Sequence, residues 1–192
     1  NLNNFYVSSK EITKKNNFEE KCEVVSSLIK DAEKKISGYL DNIIILYDSP
    51  EIYSIDLSIR KDFDQSVIIE NIYSSIILEA NQLINSNYIN SKIIHVISLK
   101  NIIDRKEFDK KFNKNLKAKS IIVEIKFICL PTDKYNRVIN IFKKNNLQLL
   151  NFYCSSYVKS ISYIESLKNH KLVSFLDIGF ERSSLLLFKN NK

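Results

Sequence analysis

The residues best placed to do chemistry sit at the end of the chain, in KLVSFLDIGFERSSLLLFKNNK from Lys171 to Lys192. An apolar strand runs into Asp177-Ile178-Gly179, the chain turns through Phe180-Glu181-Arg182, and a second strand leaves through Ser183 and Ser184 to Phe188. A concave turn of this kind can aim backbone N–H groups at an anion. A glycine lets that backbone approach without a Cβ in the way, and only 2 glycines occur in 192 residues.

A second candidate is the irregular stretch from Lys100 to Lys119. Lys100, Arg105, Lys106, Lys110, Lys111, Lys114, Lys117 and Lys119 stand there against Asp104, Glu107 and Asp109. A loop this long in a compact domain is often functional, and its charge suits an acidic partner segment or an anionic membrane face. The plainer reading is a solvated loop in a Lys-rich chain.

Other reactive side chains read as structural. His95 lies in a strand pattern between Ile94 and Val96, with no carboxylate or nucleophile paired to it by motif. Ser155-Ser156 reads as a helix N-cap, since no G-x-S-x-G context surrounds it. Cys22, Cys129 and Cys154 are far apart, never CxxC, and with His95 and His170 give no zinc spacing. They are expected to be reduced, mostly buried thiols. No catalytic residue and no metal site is assigned.

The elements that must hold these residues follow from periodicity. Asn4 to Ile12 read as a strand. Asn17, with Glu20 three residues on, opens a helix whose stripe is Phe18, Cys22, Val25, Ile29, Ala32 and Ile36. Gly38 is expected to close it in the left-handed conformation. NIIILY from Asn42 is a buried strand. After Ser49-Pro50 come a strand from Tyr53 to Ile59, a helix with Ile69, Ile72, Ile76, Ala80 and Leu83 on one face, and the strands KIIHVISL and SIIVEIKFIC. In the last, Val123, Ile125 and Phe127 alternate with Glu124 and Lys126, marking a sheet with one wet face. Pro131-Thr132 opens a helix, LQLLNFYC is a strand, and SSYVKSISYIESL is a helix with Tyr157, Ile161, Ile164 and Leu167 inward.

The order implies an α/β domain interrupted by an inserted α+β module. Four segments are expected: 1–52, the inserted module 53–129, 130–170, and 171–192 as the start of a second lobe with the closing hairpin.

Composition bounds the rest. Hydrophobic residues at 44% and charged residues at 27% indicate a folded globular chain. No uncharged apolar run is long enough to span a bilayer, and no secretory leader is recognisable, so a cytosolic setting is expected. The net charge of +7 allows acidic partners, yet the abundance of Ile, Lys and Asn looks like A/T-rich codon drift. Aromatics sit at core periodicities rather than alternating with Arg, against a single-strand nucleic-acid platform. With no methionine, the chain reads as a segment of a longer polypeptide.

In their collinear order these pieces resemble the FtsA family of bacterial cell-division proteins, divergent members of the actin/Hsp70 superfamily. DAEKKISG followed by NIIIL, KIIHVISLKNIID, CSSYVKSISYIES and FLDIGFERSSLLLFKNNK are similar to successive family segments, over nearly the whole chain from about Tyr6. The strand–helix–strand–strand insertion of that family, subdomain 1C or SHS2, falls where the inserted module does. The resemblance implies a partial actin-like (ribonuclease H-like) fold and a scaffold that binds ATP and Mg²⁺. Such a scaffold polymerises, links the tubulin-like FtsZ to the inner face of the cytoplasmic membrane, and recruits later division proteins.

It further implies that Asp177, Gly179, Ser183 and Ser184 belong to the second phosphate hairpin, with Asp177 near the Mg²⁺. Arg105, Lys106, Lys110, Lys111 and Lys114 would contribute to partner contact. FtsZ and membrane attachment would use elements beyond Lys192, and no nucleic acid is implied. A pilus-assembly relative, or a sugar or acid kinase of the same superfold, are the alternatives.

The chain departs from the family pattern D-I-G-G-G-T-T. Glu181 brings a negative charge toward the phosphate position, a repulsion of roughly 3 kcal/mol at about 5 Å and an effective dielectric near 20. Arg182 is placed to offset it. The segment alone is expected to hold no ATP tightly.

Overall fold

A computed structural model describes residues 9–10, 18–108, 116–164, 167, 170–178 and 182–189. The elements are α1 (Phe18–Ile36), β1 (Asn42–Tyr47), β2 (Tyr53–Ile68), α2 (Ile69–Asn87), β3 (Ser91–Ile103) and β4 (Lys106–Phe108), followed by β5 (Lys117–Pro131), α3 (Thr132–Lys143), β6 (Gln148–Cys154), α4 (Ser155–Ile164), β7 (Leu172–Ile178) and β8 (Ser183–Lys189). The fold is mixed α/β. The expected strand from Asn4 to Ile12, the Asn17 cap and Gly179 lie outside the described residues.

The chain divides into two compact units, residues 1–45 with 133–152, and residues 46–132 with 153–192. In the first, α1 carries Glu19 and Glu20 in its first turn and Lys34 and Lys35 in its last, charges that oppose the helix dipole at each end. Its end differs from expectation. Gly38 donates to Glu33 O at 3.2 Å, so the left-handed position of this Schellman turn falls one residue earlier. Ser37 takes it, with φ 52°, and Gly38 does not. The Glu33 carboxylate then accepts from Leu40 N at 3.1 Å. Tyr135 of α3 packs on Phe152, ring centroids 5.0 Å apart. β1 and β6 are hydrogen-bonded neighbours in a two-stranded sheet.

In the second unit, β2, β3, β4 and β5 build a sheet in the order β2-β5-β3-β4, antiparallel throughout, with α2 packed on one face. The central β5 puts Ile121, Val123, Ile125 and Phe127 at 0% exposure, packed with Ile69, Ile76, Ala80 and Ile84 of α2. Glu124 and Lys126 alternate with them on the other face, where Lys126 pairs with Asp56 at 2.6 Å. Across α2 the buried row runs by steps of four to Ile84, 4% exposed, whereas the anticipated Leu83 is 40% exposed. On a helix of 3.6 residues per turn positions 83 and 84 flank the same face, so the elements packed against α2 decide which of them is buried.

Two further expectations need correction. β2 does not stop at Ile59, because β5 continues to supply ladder partners as far as Asp62↔Ser120. A bulge then absorbs the residues before Val67↔Ala118. The stretch from Lys100 is not one irregular loop either. β3 runs on to Ile103, turns at Asp104-Arg105, and returns as β4. Both turn residues have positive φ, 45° and 68°, the geometry that suits the twist of a two-residue hairpin. Asp104 fastens that turn to β5 by accepting from Lys119 N at 3.0 Å and Ser120 N at 2.9 Å.

Candidate functional site

The β7–β8 hairpin pairs in continuous register from Leu172↔Lys189 to Ile178↔Ser183. Alternation therefore sorts its side chains between two faces. Asp177 lies directly opposite Ser184, and both are on the half-buried face with Phe175, Leu186 and Phe188. Ser183, opposite Ile178, is exposed on the other face with Leu176 and Leu185. Of the anticipated phosphate-hairpin residues, Asp177 and Ser184 are brought together, Ser183 is turned away from them, and Gly179 lies outside the described residues.

Asp177 is not free. Its side chain is 18% exposed and Lys159 of α4 stands 3.5 Å from its Oδ2. That ammonium occupies space beside the carboxylate where a hard cation would approach. Ser184 Oγ is buried and has no hydrogen-bond partner, an arrangement that costs the desolvation of a hydroxyl unless something meets it.

Arg182 is drawn the other way. Its Nη1 donates to Ser49 O at 2.7 Å and lies 3.9 Å from Asp48 Oδ1. The acceptor is presented by a local turn: Glu51 N bonds Ser49 Oγ at 3.2 Å and Ile52 N bonds Ser49 O at 3.1 Å. Sequence reasoning placed Arg182 only as a counter-charge to Glu181, and this backbone contact has no signature in sequence.

Beside the hairpin is a pocket of about 590 Å³. Ile52, Ile97, Leu99, Ile128 and Leu185–Phe188 are among its apolar wall, with Lys126, Ser156, Tyr157, Arg182 and Ser184 among its polar lining. Two β-bulges in β3, between Ile93 and His95 and between Ser98 and Lys100, re-aim that strand near the Ile97 and Leu99 that line the pocket.

His95 joins β3 to the start of α4. Its Nε2 accepts from Cys154 N at 2.8 Å, so that nitrogen carries no proton. Tyr153 stacks on the imidazole at 5.4 Å and Tyr157 meets it edge-on at 4.7 Å. Burial pushes the His95 pKa down to about 4, and burial also raises that of Tyr157. A ring whose lone pair is already engaged is a structural acceptor, in agreement with the sequence reading. Cys154 and Ser156 approach within 3.3 Å, Sγ to Oγ, and burial raises the Cys129 thiol to about 11.

The small residues of α4 matter more than its large ones. Ser156 and Ser160 are buried while Ile161, expected inward, is on the exposed side. Serine at those positions lets the helix approach its neighbours closely. Ser160 satisfies its hydroxyl on Tyr157 O at 2.7 Å.

At the β3–β4 turn, Arg105 and Lys106 are exposed, whereas Lys110, Lys111 and Lys114 lie outside the described residues. Lys100 is neutralised by Glu107 at 3.1 Å, and Arg60 by Asp62 at 2.8 Å; the bond from Arg60 also holds the Asp62 carboxyl below its usual range. Among the described residues, no group of three or more His, Cys, Asp or Glu could hold a metal ion. No described helix is long and apolar enough to cross a membrane. No family model matches this sequence, and no curated protein does.

Proposed function

We propose that this chain is part of an actin-like, nucleotide-responsive scaffold of the FtsA type, acting in cell division at the inner face of the cytoplasmic membrane. It would work with FtsZ, further copies of itself and later division proteins as partners. The inserted module is its protein-contact surface. One observation carries this reading: β1 and β6 are sheet neighbours although a complete strand–helix–strand–strand sheet, Tyr53 to Pro131, is spliced between them. A module that leaves and re-enters a sheet at adjacent strands can vary its surface without disturbing the sheet that hosts it, which suits an adaptor.

The closing hairpin is proposed as a phosphate-binding element for ATP with Mg²⁺ in the whole protein, with Asp177 and Ser184 on its inner face. Lys159 stands beside Asp177 and would have to yield to a metal ion approaching that carboxylate. A part-exposed ion pair as long as 3.5 Å is worth about 1 kcal/mol, so this contact tunes the site rather than closing it.

A fluorescent fusion of the reading frame that carries residues 1–192 tests the proposal. Ring-like localisation at the division plane, dependent on FtsZ and lost when residues 53–131 are deleted, is expected. Diffuse signal in dividing cells that contain FtsZ rings would overturn it.

A further inference from the structure

We propose that the pocket bounded by the outer face of the β2-β5-β3 sheet, the start of α4 and strand β8 binds a small amphipathic anion: an acyl or similar apolar body ending in one carboxylate or phosphate. This does not rest on the nucleotide reading. The volume of about 590 Å³ is that of a drug-sized ligand site. Its wall is mainly aliphatic, from Ile52, Ile97, Leu99, Ile128 and Leu186, and suits a hydrocarbon body rather than a bare ion.

The polar groups of the pocket have spare capacity of one sign. Arg182 turns Nη1 toward Ser49 O at 2.7 Å and Asp48 Oδ1 at 3.9 Å, and its fork still has the donors on Nε and Nη2 to offer. α4 is 10 residues long with no acidic residue in its first turn. Its first N–H groups, including those of Ser156 and Tyr157, have no intrahelical acceptor and carry the positive end of the dipole. Ser184 Oγ, buried without a partner, is a donor or acceptor in the same lining. Lys126 is already paired with Asp56 and adds no free charge. One guanidinium, one helix start and one unmet hydroxyl around an apolar cavity fit a single anionic head.

Isothermal titration of the purified chain with dodecanoate and dodecyl phosphate, below their micelle concentrations, tests this, with dodecanol and inorganic phosphate as the apolar-only and head-only arms. Saturable binding of at least one anionic amphiphile, at least tenfold tighter than dodecanol or phosphate, is expected. The preferred head then separates a carboxylate from a phosphate source. Arg182→Gln should weaken the anion about tenfold and leave dodecanol unchanged, and Leu99→Trp should abolish both by filling the cavity. Leu172→Lys with Leu176→Lys, on the exposed face of β7 and outside the pocket lining, should change neither. Circular dichroism verifies that each variant is folded.

Equal affinity for dodecanol and dodecanoate would overturn the proposal, as would loss of binding in the Leu172/Leu176 variant, which would place the ligand on the exposed hairpin face. Displacement of dodecanoate by ATP at equal concentration would also overturn it, assigning the pocket to nucleotide while leaving the proposed scaffold function intact.

Discussion

Neutral His95 is the side chain whose titration most directly couples the inserted sheet to α4, and acid should loosen that coupling. Its pKa is about 4 in the folded chain against 6.5 when free. The unfolded chain therefore binds more protons between those values, so stability rises with pH across that window and is fully present above 6.5. At about 1.4 kcal/mol per pH unit the full displacement corresponds to roughly 3 kcal/mol. The ring is only half-buried, so solvent screening reduces this to about 1–2 kcal/mol.

His95→Ala should cost a similar amount at pH 7.5, since Cys154 N–H loses its acceptor in a part-buried position. His95→Gln should recover part of that, because its amide oxygen can accept the same bond without titrating. Urea unfolding followed by tyrosine fluorescence at pH 5 and pH 7.5 measures both; with 10 tyrosines and no tryptophan the signal is clean. If wild type and His95→Gln lose the same stability between these pH values, the imidazole is not the source of the slope and the reasoning fails.

Other consequences are more local. Ser37→Gly should stabilise the chain by about 1 kcal/mol in thermal unfolding by relieving φ 52°. Gly38→Ala should be tolerated there, since an added Cβ would meet only Ile36 O at 3.9 Å. Phe127→Ala, at the centre of the module with 0% exposure, should cost about 3–5 kcal/mol in urea unfolding. Iodoacetamide at pH 8 should modify partly exposed Cys22 first, read by peptide mass spectrometry. Cys129 should stay unmodified until unfolding, being buried with a thiol pKa of about 11.

Local pattern determined a good deal of this protein. The alternation at Val123–Phe127 and the stripe of α2 identify elements because each buries one face, and burial has a fixed period in helix and strand; the run at Asn42 is a strand as expected but not a buried one, since Ile45 is 7% exposed while Ile44 and Leu46 are 54% and 51% exposed. The turn at Asp104-Arg105 was not legible, because its left-handed residues are held by backbone bonds to Asp104 from a strand distant in sequence rather than by Asn-Gly. The extension of β2 through Arg60 and Asp62 was hidden for the same reason: a polar stretch stays extended when a neighbouring strand satisfies its N–H and C=O groups.

In the candidate site, the strand–turn–strand pattern identified the hairpin, the family resemblance proposed Asp177, Gly179, Ser183 and Ser184 as its site, and the structure sets Asp177 opposite Ser184. Only the tertiary structure decided that Lys159 holds Asp177, that Arg182 turns to Ser49 O, and that His95 accepts from Cys154 N. Each of these joins residues at least eighteen positions apart, where no periodicity operates and the partner is chosen by which elements pack together.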